Sequence, residues 1–391
     1  MGKIRVEAVT TSFFGNEAIS YLPMELKKRK AKRALIVTDP FLFESGVAKK
    51  VGNVLLQADM EYAIYYQVQP NPTVEVVNEC ICAAKELKVD WLVAVGGGSS
   101  IDTAKAVSIV LANGGTVEEY EGIDKSEKPG IPIVAVNTTA GTGSEVTTFY
   151  IVTDTKKHSK MCMGDKNCKV TIAVNDIQFM LGMPKGLTAA TGMDAMTHGI
   201  EAVLSNKANP LTDKDALWAI RTIKDYLPKA VENGKDLEAR EQMAYGEYVA
   251  GMAFSNGGLG MVHAMAHALG GKYNLPHGIC NAILLPHVMK FNAGRKETGK
   301  NFKKIAEALE LPGALLMGEG EAAKESIDFI IKLSQKVGIA QSLKELKTNP
   351  KDYESLGILA CKDVCMKDNP VMPSLEEVIS VYKEAYEGYF L

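Results

Sequence analysis

A change of pattern near residue 184 constrains the fold of this 391-residue chain more than any other feature. Before it, short β-branched runs recur at 33–38, 62–68, 91–95, 131–136 and 171–174, each bounded by Gly, Pro, Asp or Asn. Between them lie stretches with helical composition at 73–87 and 101–112. Such alternation predicts a parallel sheet covered by helices, with ligands bound beyond the carboxyl ends of the strands. After Pro184 the strand signal stops, and segments such as 213–233, 238–254, 300–309 and 321–337 have helical composition with Gly or Pro punctuation. A chain this long exceeds the usual single-core limit. The pattern therefore predicts two domains, an α/β domain over 1–184 and an all-helical domain over 185–391.

Composition narrows the function. The 44 Lys and Arg nearly balance 47 Asp and Glu, and the net charge of −3 argues against a nucleic-acid or polyanion partner. No apolar run approaches the ~18 residues needed to span a bilayer, and the first residues lack the apolar stretch of a secretory signal, so the expectation is a cytoplasmic protein without a membrane partner. Seven cysteines contain no C-x-x-C pair, which suggests reduced thiols rather than a disulfide framework or a zinc ribbon.

Two loops carry the first chemical signal. The run 91–95 leads into Gly96-Gly97-Gly98-Ser99-Ser100 and then a helical pattern. Three residues without Cβ let backbone N–H groups approach a pyrophosphate, and a helix N-terminus adds partial positive charge. This is not the G-x-G-x-x-G fingerprint, and a tight turn explains the loop by itself equally well. The next run, 131–136, enters a second loop, Asn137-Thr138-Thr139-Ala140-Gly141-Thr142-Gly143-Ser144-Glu145, at the expected edge of the same sheet. Two such loops in successive units favour a nucleotide. Asp39, at the end of the first long run, either starts a turn before Pro40 or accepts hydrogen bonds from an adenosine ribose, a role that selects NAD over NADP.

The second signal lies in the helical half. In Gly192-Met-Asp194-Ala-Met-Thr-His198-Gly-Ile-Glu201, a carboxylate and an imidazole stand four residues apart, on one helix face. A capping Asp and a core His would explain that pair alone. Of the six histidines, however, four fall between 263 and 287. His263 and His267 share a helix face, Gly270-Gly271 is expected to end that helix, and Pro276-His277-Gly278 to turn the chain back. One carboxylate and three imidazoles make a four-ligand N/O site for a divalent ion, the alternative being a polar seam between packed helices. His158 and His287 read as structural or exposed.

Jointly these motifs resemble the iron-containing (group III) alcohol dehydrogenase family over essentially the whole chain. They are Pro70-Asn71-Pro72-Thr73, Gly96 to Asp102, Thr138 to Glu145, Gly192 to His198, and His263 through Gly278. The resemblance implies a Rossmann-like dinucleotide domain joined to an all-α metal-binding domain in a dehydroquinate synthase-like architecture. It implies Asp194, His198, His263 and His277 as ligands of Fe2+, with Zn2+ in isolated protein, and His267 nearby in the substrate cleft, where it is a candidate proton relay to solvent or a histidine that only shapes the pocket. It places NAD on Asp39, Asn71, Gly97, Gly98, Ser99, Thr138, Thr139, Thr142 and Lys160. Where relatives commonly show Asp-Pro, this chain has Asp176-Ile177. The implied reaction is hydride transfer between a small primary alcohol or diol and its aldehyde, by a homo-oligomer. Competing readings are a zinc-dependent, glycerol-type polyol dehydrogenase and a dehydroquinate synthase-like lyase. The lyase would need several basic side chains for its anionic substrate, whereas the segments around the proposed ligands are rich in Met, Ala and Gly, with Phe254.

Overall fold

The computed structural model describes residues 6–9, 11–157 and 159–389. It divides into two compact units, one formed by residues 1–139 and 143–183, the other by 140–142 and 184–391.

The first unit is built on a six-stranded parallel sheet. In chain order its strands are β1 (Thr11–Gly15), β2 (Arg33–Val37), β3 (Glu61–Tyr65), β4 (Trp91–Gly96), β6 (Ile133–Asn137) and β9 (Ile172–Asp176), arranged β1-β9-β6-β4-β2-β3. A smaller sheet holds the two-residue β5 (Gly122–Ile123) and the hairpin of β7 (Phe149–Asp154) with β8 (Ser159–Gly164). The first unit's helices are α1 (Leu22–Lys28), α2 (Pro40–Glu44), α3 (Val47–Gln57), α4 (Val74–Leu87) and α5 (Gly98–Asn113).

Period-two alternation divides the strand side chains between two cores. Leu35, Val37, Leu92 and Ala94 pack with Val77 and Ile81 of α4 and Ile101 and Val107 of α5. Ala34, Ile36, Val93 and Val95 pack with Leu22 and Leu26 of α1 and Val51 and Leu55 of α3. A strand covered on both faces has no polar side, which is why β4 and β6 read as continuous apolar runs. The expected strands at 33–38, 62–68, 91–95, 131–136 and 171–174 all occur, with ends moved by up to three residues.

Four strands lie outside the sequence expectation, β7 among them although its Phe-Tyr-Ile-Val-Thr run alternates between half-buried and buried as a strand does. β1 is an edge strand of five half-buried residues pairing only with β9, too short for a visible alternation. β8 is Ser-Lys-Met-Cys-Met-Gly, poor in β-branched residues and held by its antiparallel register to β7. Asp176 ends β9 by accepting hydrogen bonds from the backbone N–H of Glu17 (3.2 Å) and Ile19 (3.1 Å), so it anchors the chain after β1.

The described part of the second unit contains no strand. Its helices are α6 (Lys185–Leu204), α7 (Pro210–Glu232), α8 (Leu237–Gly257), α9 (Met261–Tyr273), α10 (His277–Ala293), α11 (Gly299–Ala308), α12 (Glu319–Lys336), α13 (Tyr353–Lys362) and α14 (Leu375–Glu387). α6 packs against α7, α8 and α10 and is buried almost throughout from Thr188 to Leu204, as an all-round apolar helix must be. Capping boxes at Asn209 and Ser374 set the starts of α7 and α14.

One expectation fails. Gly270-Gly271 does not end α9, which continues to Tyr273 and stops at Asn274 in the left-handed conformation (φ 50°). A helical glycine costs only about 1 kcal/mol, whereas a left-handed residue followed closely by Pro276 removes the helical path itself. Among the described residues no helix is long and apolar enough to cross a membrane.

Candidate active site

Small residues in α6 let neighbouring helices approach its middle, where Asp194 and His198 sit one turn apart. Asp194 is therefore not a cap: it lies nine residues into the helix and is buried. α9 supplies His263, and His277 is the first residue of α10, immediately after its N-cap Pro276. Gly278 makes the last approach possible, since a Cβ there would stand 2.2 Å from the Ala190 carbonyl oxygen of α6. From Asp194 Oδ1 the distances are 3.8 Å to His198 Nε2, 3.7 Å to His263 Nε2 and 3.8 Å to His277 Nε2. Asp194, His263 and His277 form the tightest set, with ligand-type atoms all within 4.8 Å of one another. The His198 ring stacks between Phe254 (4.3 Å) and His263 (4.7 Å).

The electrostatics suit a dication. Burial disfavours an ionised Asp194, but His198, His277 and His263 outweigh it and hold the carboxyl well below the usual range. Burial pushes His198 down to about 3, so it is a neutral imidazole with a lone pair to offer. His263 is also penalised by burial, but Glu201 and Asp194 raise it to about 9. Glu201 Oε2 lies 2.5 Å from His263 Nδ1, and its Oε1 accepts from the Val262 N–H at 2.8 Å. Raised this far, His263 carries protons on both ring nitrogens at neutral pH; a cation would displace the one on Nε2 while Glu201 keeps the one on Nδ1, the arrangement in which a carboxylate orients a ligating imidazole. An N/O donor set of this convergence and charge fits one divalent cation.

His267 stands apart from those four atoms. Its Nδ1 is 2.8 Å from Asp363 Oδ2 and its ring stacks on His277 at 5.2 Å; His267, the half-buried Asp363 and Cys365 make a second, separate grouping. Glu201 and Asp363 had no assigned role in the sequence reading. Glu201 lies seven residues beyond Asp194 on the same face of α6, so helical periodicity was a usable signal; Asp363, 96 residues from His267, had none. His287 is buried against Tyr389, ring centroids 4.1 Å apart, and lies outside both groupings. His158 and the chain's first five residues lie outside the described residues.

In the first unit, Gly97 is the N-cap and Gly98 the first residue of α5. A Cβ on Gly97 would meet the Thr139 side chain at 2.7 Å, so the two loops after β4 and β6 touch where a side chain has no room. The Thr138 N–H donates to the Gly96 carbonyl at 3.2 Å, and the Thr139 N–H to Asn137 Oδ1 at 3.1 Å. Ser99 lies in the first turn of α5 and its carbonyl accepts from Thr103 Oγ1. Lys160 of β8 donates to Asn71 Oδ1 at 2.7 Å, joining candidates 89 residues apart, while Thr153 N–H to Pro72 O (2.7 Å) ties the 70–73 turn to β7. Asp39 caps α2, accepting from the Leu42 N–H at 2.8 Å, which is the turn-starting role that competed with ribose recognition. Thr142 falls in the 140–142 stretch that clusters with the second unit.

Residues 10–177 match the family described as iron-containing alcohol dehydrogenase, and residues 188–386 match the Fe-containing alcohol dehydrogenase family, C-terminal. The chain is 42% identical over 376 residues to the NAD-dependent methanol dehydrogenase of Bacillus methanolicus, covering 96% of this chain and 97% of that one. It is also 42% identical to the lactaldehyde reductase of Escherichia coli K12, at 96% and 98% coverage. A solved structure of a 1,3-propanediol oxidoreductase superposes with a TM-score of 0.95 at 39% identity, covering 98% of this chain and all of that one.

Proposed function

The chain belongs to the iron-containing alcohol dehydrogenase family, and from that premise we propose that it interconverts small primary alcohols or diols and their aldehydes, with NAD as hydride carrier and a divalent cation as electrophile. The observation that supports the site most is the meeting of Asp194, His263 and His277, with His198, around one small volume. We assign the cation as Fe2+, with Zn2+ able to take its place because the Irving–Williams order favours zinc at N/O sites. The polyol and lyase readings are not favoured by these likenesses.

When bound, the cation supplies Lewis-acid polarisation of an alcohol or carbonyl oxygen. The protein's own share is positional. Asp194, His198, His263 and His277 hold the cation, and Glu201 keeps the His263 proton on Nδ1 so that Nε2 stays available. Asp363 holds His267 through Nδ1, which leaves Nε2 as the atom to exchange the alcohol proton with solvent. Bound NAD would supply the nicotinamide as acceptor or donor of the hydride exchanged with the alcohol carbon. On this reading 1–184 is the dinucleotide-binding domain and 185–391 the metal-binding domain. Asn71, Gly97, Gly98, Ser99, Thr138, Thr139, Thr142 and Lys160 hold the cofactor, with Asp39 disfavouring a 2′-phosphate.

The test is metal analysis of anaerobically purified protein, paired with absorbance at the reduced-nicotinamide band over methanol, ethanol, butanol, 1,2-propanediol and 1,3-propanediol. The expected result is NAD reduction with some of these alcohols, abolished by chelation and restored by Fe2+ or Zn2+. Activity that survives complete removal of metal would refute the cation's role.

A further inference from the structure

The cation centre contains one side chain that no ligand assignment uses. Asn281 lies one turn after His277 on α10 and is fully buried. Its Nδ2 is 2.6 Å from Asp194 Oδ1 and 3.1 Å from both His263 Nε2 and His277 Nε2. One amide NH2 thus faces the three atoms of the tightest ligand set. Its Oδ1, by contrast, is buried without a hydrogen-bond partner among the described residues.

A cation held by those three atoms would repel the partly positive hydrogens of an NH2 directed at them. Turning the amide by half a revolution about Cβ–Cγ exchanges NH2 for a carbonyl oxygen in nearly the same volume, a donor for an acceptor. The turn sacrifices no bond at Oδ1, because none exists there. We propose that Asn281 is a positioning residue of the cation centre: its amide lies within hydrogen-bond reach of Asp194, His263 and His277, and it turns Oδ1 toward a cation held there. This inference rests on the reading of Asp194, His198, His263 and His277 as one cation site.

The test uses the full chain stripped with a chelator and Co2+ as a spectroscopic probe, comparing wild type, Asn281→Ala and Asn281→Asp. Readouts are Co2+ affinity by chelator competition, the Co2+ d–d band, and the melting temperature of the metal-free protein. Asn281→Ala is expected to bind Co2+ about 10- to 100-fold more weakly, the usual penalty for losing a group that supports a ligand shell, and to shift the d–d band. Asn281→Asp has oxygen in either rotamer and no NH2. It is expected to bind Co2+ at least as tightly as wild type while its metal-free form melts lower, since two carboxylates then face each other. A side chain that only fills space would not separate those two readouts.

Asn281→Ala with unchanged affinity and spectrum overturns the proposal. Equal loss of affinity in Asn281→Asp also overturns it, because the NH2 would then be needed in the filled state; this variant decides the matter if Asn281→Ala does not fold. Wild type that takes up no Co2+ removes the cation centre itself and the inference with it, an outcome distinct from the other two.

Discussion

The two units prepare their candidate sites with different parts of the chain. In the first, the candidate cofactor loops are largely backbone: Gly97 and Gly98 open α5, and Thr139 packs where a Cβ on Gly97 would stand. In the second, the site is wholly side chain, with Asp194 and His198 from α6, His263 from α9 and His277 from α10. A backbone cradle is local, written in consecutive residues and tolerant of what surrounds it. A side-chain centre depends on helix packing to bring distant residues together, and each member needs its own support.

That contrast predicts effects of different size and kind. Asp194→Asn should be the most severe for activity, because it removes the one negative charge among the four candidate ligands: metal content should fall, and kcat/KM with it, by on the order of 10^3-fold or more, equivalent to several kcal/mol. Folding should survive, as judged by circular dichroism and unfolding midpoint. Retention of both metal and activity would break the comparison at its root.

Lys105→Met should act on stability instead. Lys105 of α5 is fully buried, and its Nζ donates to the carbonyls of Thr147 (2.9 Å) and Phe149 (2.7 Å). Asp102, one turn earlier, accepts from Ser144 Oγ at 2.5 Å and from the Ile151 N–H at 2.9 Å. These two residues pin the chain just beyond the second loop to the helix that begins at the first. Removing the cation leaves buried acceptors and acidic neighbours uncompensated, at a cost of about 3–5 kcal/mol in denaturant unfolding. NADH affinity measured on the folded variant shows how far the backbone cradle depends on side-chain anchors.

Glu201→Gln keeps the shape and removes the charge that orients His263. Metal affinity should fall about 10- to 100-fold with little change in cofactor binding, read by chelator competition and nicotinamide fluorescence. Equal effects on metal and NADH would mean that the two candidate sites are not separable in this way.

The smallest effect concerns His287, which burial, aided by Lys290, pushes down to about 3. Its unfolded value is near 6.5, so between those limits the unfolded chain binds the extra proton. The contribution of neutral His287 is complete above about pH 6.5 and is lost as pH falls toward 3, at up to about 1.4 kcal/mol per pH unit. His287→Leu should therefore flatten the acid limb of the stability curve by about that slope. Parallel curves for the variant and wild type would show that this histidine is not held neutral.

Legibility in the sequence followed the same division. Strands β2, β4, β6 and β9 were visible because a strand covered on both faces must be apolar along its length, and edge strand β3 through its aromatic and β-branched residues. Pairing rather than composition makes β1 and β8 strands, whereas the Phe-Tyr-Ile-Val-Thr run of β7 was a signal in plain sight. The end of α9 was misplaced by reading Gly270-Gly271 as a stop, when Asn274 supplies the left-handed residue. Of the site, the Asp-x-x-x-His pair and the later histidines stood out because four-residue spacing is a local property of helices. Glu201 was within reach of the same periodicity. Asp363 and Asn281 were not, since nothing along the chain relates them to the groups they touch.

From the order of its residues alone, this protein was determined to be a parallel α/β unit followed by helices, with glycine-rich loops at strand ends and a carboxylate and histidines at helical spacing. Those are short-range consequences of backbone sterics and hydrophobic period. Only packing decided which imidazoles meet Asp194, which tautomer Glu201 imposes on His263, and that a buried amide faces the same three atoms. Such choices depend on distances between helices far apart in sequence, which local spacing does not encode.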